Sequence, residues 1–361
     1  MIDLDDLEAL TRLDRGGMLA ALDGFPEQCE RALALGEELP LPQDLSRSRI
    51  TGLVTVGMGG SGIAGDLLAH FVTLPTLVSH GYGLPPVDEQ TLIIAVSYSG
   101  ETEETLSALE LVLERGAKAL CLSSGGEMER LTREQGLPFI KVPGGLQPRA
   151  ALGYLLLPLL KLLHRLGFCR LDEGELETLP QALATLRELW TARVPLGENR
   201  AKQLARDLQG RLPLIYGVEG TTDVVALRWK TQINENSKQP AFWNAVPELC
   251  HNELVGFEGA GLAVKMKAEA IFLRSGLDHP RNQKRIEILK ELLEGWGIPH
   301  QEVFAPSEGR GQDKQGGGLI QLLSLIYLGD FVSFYLALLN GVDPTPVRPI
   351  VELKRRLQEK P

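Results

Sequence analysis

The sequence predicts an α/β protein built from two units, each a mainly parallel sheet flanked by helices. Two observations carry that expectation. Short apolar runs at 51–56, 91–96, 117–122 and 138–142 alternate with amphipathic helical patterns, the arrangement of a parallel sheet covered on both faces. The second half then repeats the order of the first: 212–229 echoes a strand, a glycine turn and a helix, 269–297 a strand, a turn and a helix, and 298–304 a third strand. At 361 residues and 43% hydrophobic content, the chain is long enough to bury two cores.

Taken in order, residues 1–48 read as a helical extension with breaks at Pro26 and at Pro40-Leu41-Pro42. The first unit occupies 49–168 and closes on a leucine-rich helical stretch through 155–166. Polar, helix-like residues 169–198 form a linker, and 199–361 make the second unit with a C-terminal helix. The run 319–339 is nearly long enough to cross a bilayer, but Gln321, Gly329 and Asp330 interrupt it, and an acid at mid-span is costly in lipid. A buried or interface helix is the expectation.

Composition narrows the setting. The formal net charge is −10 and no block of lysine and arginine stands out, which argues against nucleic acid or an anionic membrane as partner. Cys29, Cys121, Cys169 and Cys250 are scattered without a C-x-x-C pair, so neither a zinc site nor a disulfide framework is expected. The first residues are acidic where a secretory signal is basic. A reducing cytoplasm fits these features.

Two strand-to-helix turns carry the chemistry. Ser97-Tyr98-Ser99-Gly100-Glu101-Thr102 follows the run 91–96 and leads straight into a helical pattern. The first N–H groups of a helix have no intrahelical partner, and serine and threonine hydroxyls add uncharged donors, so a phosphate is the natural guest. A glycine-rich turn at 57–66 follows the run 51–56 and supports it. The serine turn lacks the Gly-Lys-Ser/Thr ending of a nucleotide loop. The glycine turn does not combine the G-x-G-x-x-G register with an acid at the end of the next strand. In the second half the serine turn has become 274–280, with most of its hydroxyls gone. The phosphate site therefore belongs to the first unit, and the second contributes something else.

Four further side chains are candidates, each with a plainer alternative. Glu235, between Asn234 and Asn236, falls at the expected end of a helix, where the dipole disfavours negative charge; that suits a general base, and a solvated, asparagine-capped helix end fits equally well. His251, with Asn252 and Glu253, follows a proline-broken loop, and an imidazole both gives and takes protons near neutrality. A structural histidine is the alternative, and His279 the competitor. Arg149 opens a helix after the fourth strand and would hold an oxyanion, or else lie on the surface. Lys354 lies in the final amphipathic helix, where spacing does not separate it from its basic neighbours. No H-x-H or H-x-x-x-H pair occurs, so no metal is expected.

Ser97-Tyr-Ser-Gly-Glu-Thr102 resembles the Ser-x-Ser-Gly-x-Thr signature of sugar isomerase domains. With the glycine turn at 57–62, Pro148-Arg149-Ala150-Ala151, Asn234-Glu235-Asn236, the His251-Asn252 pair and Lys354, in that order, the chain resembles the bifunctional phosphoglucose/phosphomannose isomerases from residue 49 to 355. The resemblance implies two flavodoxin-like three-layer α/β/α sugar isomerase domains. It also implies interconversion of glucose 6-phosphate, and of mannose 6-phosphate, with fructose 6-phosphate through a cis-enediol, without cofactor or metal. By position it implies phosphate on Ser97, Ser99 and Thr102, Gly60 and Ser61 on the sugar side, and Glu235 as the base between C1 and C2. Arg149 would stabilise the intermediate, Lys354 would assist near the ring oxygen, and His251 would open the ring from the partner subunit of a homodimer. Residues 1–48 and 169–198 fall outside the compact family pattern. Glu101 puts a carboxylate beside the phosphate turn, where it is expected to point away or to cap a helix N-terminus. A non-catalytic sugar-phosphate regulator and an isomerase of another phosphorylated sugar are the alternatives.

Overall fold

The computed structural model describes residues 2–41, 45, 49–259, 261–306 and 318–359; Pro42 of the expected N-terminal break lies outside them. The described residues fall into two units, one within 24–184 and 310–320, the other within 1–23, 185–309 and 321–361. Three helices come first, α1 (Leu7–Leu13), α2 (Met18–Asp23) and α3 (Phe25–Glu38). Pro26 sits in the first turn of α3, where a missing N–H leaves no bond unmade.

The first sheet follows: β1 (Gly52–Val56), α4 (Gly59–Phe71), β2 (Thr76–Ser79), β3 (Thr91–Val96), α5 (Glu103–Glu114), β4 (Lys118–Ser123), α6 (Gly126–Gln135), β5 (Phe139–Lys141) and α7 (Leu152–Arg165). All its strands are parallel, in the order β2-β1-β3-β4-β5. Val54, Val56, Ile93, Ala95, Ala119 and Cys121 fill one face against Leu109, Val112 and Met128. Burial on both faces is why these strands read as continuous apolar runs.

After α8 (Glu173–Trp190) and α9 (Arg200–Leu208) comes the second sheet. Its elements are β6 (Leu212–Val218), α10 (Asp223–Ser237), β7 (Phe242–Val246), α11 (Gly261–Lys265), β8 (Ala268–Arg274), α12 (Pro280–Gly295) and β9 (His300–Phe304). Then follow α13 (Gly318–Leu339) and α14 (Arg348–Gln358). The strands are again parallel, in the order β7-β6-β8-β9. Two strands were not expected from the sequence, β2 and β7. Both are edge strands flanking the first strand of their sheet, and both are half exposed, so neither shows a continuous apolar run.

The apolar stretch of α13 is entirely buried, which makes it a core helix with no apolar face left for a partner. Residues 2–23 are tied into the second unit. Lys202, fully buried, donates to Asp5 Oδ1 at 2.8 Å and to the Ala192 carbonyl at 2.9 Å. The Tyr327 hydroxyl donates to the Leu22 carbonyl at 2.8 Å, and Arg187 Nη1 to that of Asp23 at 2.9 Å.

Candidate active site

β1 and β3 are neighbours running in the same direction, so the turns that follow them emerge together at the carboxyl end of the sheet, where α/β folds bind ligands. The Ser61 hydroxyl accepts from the Tyr98 N–H at 3.2 Å and joins the two turns. Gly60 lies against the 3-10 turn Pro148–Ala150: a Cβ there would stand 3.0 Å from the Pro148 carbonyl oxygen and 3.4 Å from Arg149 Cα. Gly60, Ser61, the serine turn and the Arg149 segment thus share one locality. Arg149 is only 3% exposed, which sets aside the surface-arginine alternative.

Inside the serine turn, buried Ser97 pairs its hydroxyl with that of Thr102 at 2.8 Å and accepts from the Gly100 N–H at 3.1 Å. Thr102 is the N-cap residue of α5, yet its side chain makes no capping bond to that helix. The first N–H groups of α5 therefore have no cap from Thr102 and are oriented for an anion. Ser99 is exposed, its hydroxyl accepting from the Glu101 N–H at 3.2 Å. The Glu101 carboxylate turns away and accepts from the Glu127 N–H of α6 at 2.9 Å, capping a neighbouring helix where negative charge is favoured.

Below the glycine turn His80 has acceptors at both ring nitrogens, the Gly57 carbonyl at 3.1 Å and Asp66 Oδ1 at 3.2 Å. The bond to Asp66 raises the imidazole pKa above its ordinary value, against the opposing effect of partial burial.

The corresponding turn of the second unit is closed from within. Asp278, 3% exposed, accepts from Thr221 Oγ1 at 2.7 Å, from the Ser275 N–H at 3.1 Å and from Arg274 Nε at 3.3 Å. His279 caps α12, its Nδ1 accepting from the Arg281 N–H at 3.1 Å, which gives this competing histidine a structural task. Here a carboxylate of the turn itself takes up the neighbouring N–H and hydroxyl donors.

Glu235 lies half-buried in the last turn of α10, as its neighbours led one to expect. The helix ends at Lys238 in the left-handed region, φ 54°, and its ammonium donates to the carbonyl oxygens of Glu235 and Pro344. A cation on the last carbonyls opposes the negative end of the dipole. Asn234 donates to the Gln239 carbonyl, beyond the helix end, at 2.9 Å, whereas Asn236 turns inward and is fully buried. Glu235, Asn234 and Lys238 line a cavity of about 420 Å³ whose apolar wall is Pro346, Val347, Pro349 and Ile350. Lys354 is exposed on α14, one turn beyond Ile350 and on the same helix face.

His251 does not line that cavity. It is exposed at the end of the 3-10 turn Glu248–His251, just after β7. The following loop is pinned by Glu253, which accepts from the Tyr216 hydroxyl and from Asn244 Nδ2 at 2.7 Å. Along the same stretch of chain Phe242, Trp243, Val255, Leu262, Val264 and Met266 are exposed. Sequence reading missed Lys238, Glu253 and His80. Lys238 was legible only as the first charge after Asn-Glu-Asn-Ser, and the other two show themselves only through distant partners.

Two family models match the chain. Residues 50–133 match the SIS domain model, and residues 197–357 match the model described as bacterial phospho-glucose isomerase C-terminal SIS domain. A bifunctional phosphoglucose/phosphomannose isomerase of Caldicellulosiruptor bescii is 41% identical over 95% of this chain and 99% of its own length. One from Aquifex aeolicus is 37% identical over 85% of this chain and 91% of its own. The crystal structure of a glucose-6-phosphate isomerase like protein from Thermus thermophilus shares the fold, with a TM-score of 0.62 at 23% identity, covering 99% of this chain and 100% of that one. By its sequence relatives and its two domain matches, the chain belongs to the bifunctional phosphoglucose/phosphomannose isomerase family.

Proposed function

We propose that the protein is an aldose-ketose isomerase interconverting glucose 6-phosphate, and mannose 6-phosphate, with fructose 6-phosphate. The observation that carries this reading is the unequal pair of turns: one has an uncapped helix N-terminus ringed by hydroxyls, the other holds its own carboxylate. Ser97, Ser99 and Thr102 hold the phosphate, with Gly60 and Ser61 on the sugar side. Glu235 takes the proton from C2 of the open-chain aldose and returns it to C1, while the hydroxyl proton passes from O2 to O1, which turns the aldose into the ketose through a cis-enediol. Arg149 steadies the enediol oxygens with a charge that persists at any working pH. Lys354 assists at the ring oxygen, and His251 moves the proton that opens the ring.

His251 acts from a partner subunit in a homodimer, a reading supported by its exposure and by the exposed apolar side chains along 242–266. A cytoplasmic setting suits the four unpaired thiols. Glu235→Ala is expected to abolish isomerisation of fructose 6-phosphate in a coupled assay; full activity in that variant would refute the mechanism. Mixing inactive Glu235→Ala with inactive His251→Ala should restore part of the activity. No restoration, despite demonstrated subunit exchange, would place the complete site within one chain.

A further inference from the structure

Gly329, Asp330 and Ser333, in the middle of the apolar run of α13, all meet a single helix, α10, the one that carries Glu235. Trp229 presses on Gly329, where a Cβ would stand 2.2 Å from the indole Nε1, and that N–H donates to the Leu325 carbonyl at 2.8 Å. Arg228 Nη2 and Gln232 Nε2 donate to the two oxygens of Asp330 at 2.7 and 2.8 Å. Asn236 Nδ2 donates to Ser333 Oγ at 2.9 Å, and that hydroxyl donates to the Asp330 carbonyl at 2.8 Å. Ser237 Oγ donates to the Ser333 carbonyl at 2.7 Å. Arg228, Gln232, Asn236, Asp330 and Ser333 are all buried.

Arg228, Gln232 and Asn236 recur every fourth residue, so they form one stripe along α10. Apolar contacts alone tolerate small slips between helices, whereas hydrogen bonds in a dry interior are directional and costly to leave unmade. Slipping α10 by one residue would swing Glu235 by about 100° around the helix axis. The stripe ends at Asn236, the residue next to Glu235.

From these contacts we infer that Asn236 and Ser333 are positioning residues for Glu235, their bond fixing the rotation of the last turn of α10 and hence the direction of the carboxylate. The inference rests on Glu235 being the base proposed above. The test uses the full chain with Asn236→Ala, Ser333→Ala and both together, and measures kcat, KM and the deuterium isotope effect on glucose 6-phosphate labelled at C2. A misdirected base should lower kcat by about 10- to 100-fold, leave KM within about twofold and raise the isotope effect, because proton transfer becomes more rate-limiting. The double variant should be no worse than either single one, since all three cut the same bond. A merely structural role would lower the folded fraction and leave the isotope effect of the remaining enzyme unchanged. The two changes lie on different helices, so if one variant does not fold the other still decides. Unchanged kcat and isotope effect in a folded variant, alongside an inactive Glu235→Gln enzyme, would overturn the positioning role alone. An active Glu235→Gln enzyme would instead overturn the assignment of the base.

Discussion

The turn after β3 and the turn after β8 stand at the same place in their sheets, each beside the first strand's turn and each leading into a helix. They treat that helix in opposite ways. Thr102 leaves the N-terminus of α5 uncapped and spends its hydroxyl on Ser97, while Glu101 reaches away to α6. In the second turn His279 caps α12, and Asp278, like Glu101 the residue just before the N-cap, folds inward onto Ser275, Thr221 and Arg274. On the phosphate role proposed for the first turn, the second differs by meeting its donors with a carboxylate of the chain.

The largest effect should come from emptying the second turn. Asp278→Ala removes a buried carboxylate from beside Arg274 and is expected to destabilise by roughly 3 kcal/mol, measured by urea unfolding. Added inorganic phosphate should recover more stability in this variant than in the parent protein. A loss below about 1 kcal/mol would break the comparison.

A glycine pair sharpens it next. Gly100 has φ 73° and a Cβ there would stand 1.9 Å from the Gly125 carbonyl oxygen, whereas at Gly276 the nearest atoms are 3.8 Å away. Gly100→Ala is expected to lower stability by about 2 kcal/mol and Gly276→Ala by less than about 0.5 kcal/mol. Paired thermal unfolding curves compare them directly.

Smaller still is the loss of one hydroxyl. Ser97→Ala should raise KM for fructose 6-phosphate about tenfold, the equivalent of one hydrogen bond to a charged group, while Ser275→Ala leaves KM unchanged. Equal effects at both serines would mean that both turns meet the substrate.

The smallest effect concerns pH. His80 braces the first glycine turn, whereas in the second Thr222 does so without titrating, accepting from the Val218 N–H at 2.9 Å and donating to the Leu273 carbonyl at 2.7 Å. Because Asp66 raises the folded-state pKa of His80, the stabilisation is fully present below the unfolded value and is lost as pH rises through the raised one. His80→Gln should flatten the decline in stability above about pH 6.5, a modest change because the ring is half exposed.

What could be read without coordinates depended on how local its cause was. The serine turn is six contiguous residues between two strong periodic patterns, so the turn between β3 and α5 was visible at once. β2 and β7 were hidden because both are half exposed and neither carries a continuous apolar run. Glu101 and Asp278 are acids at equivalent places, and only their tertiary neighbours decide that one turns out and the other in. The extra acid and glycine in α13 were visible as interruptions, but their partners on α10 lie about a hundred residues away, beyond the reach of any periodicity.

The ties that Lys202, Tyr327 and Arg187 make to residues 2–23 bear on how the molecule is made. During translation those helices are made well ahead of Tyr327, which is added some three hundred residues later. The interposed unit can finish folding while α1 and α2 are still waiting. A shortened polypeptide beginning at residue 185 would keep the whole matched C-terminal domain, yet it would leave the Lys202 ammonium without its Asp5 partner. Such a fragment should be recovered as an aggregate, and a synthetic peptide covering residues 2–23 should bring it back into solution.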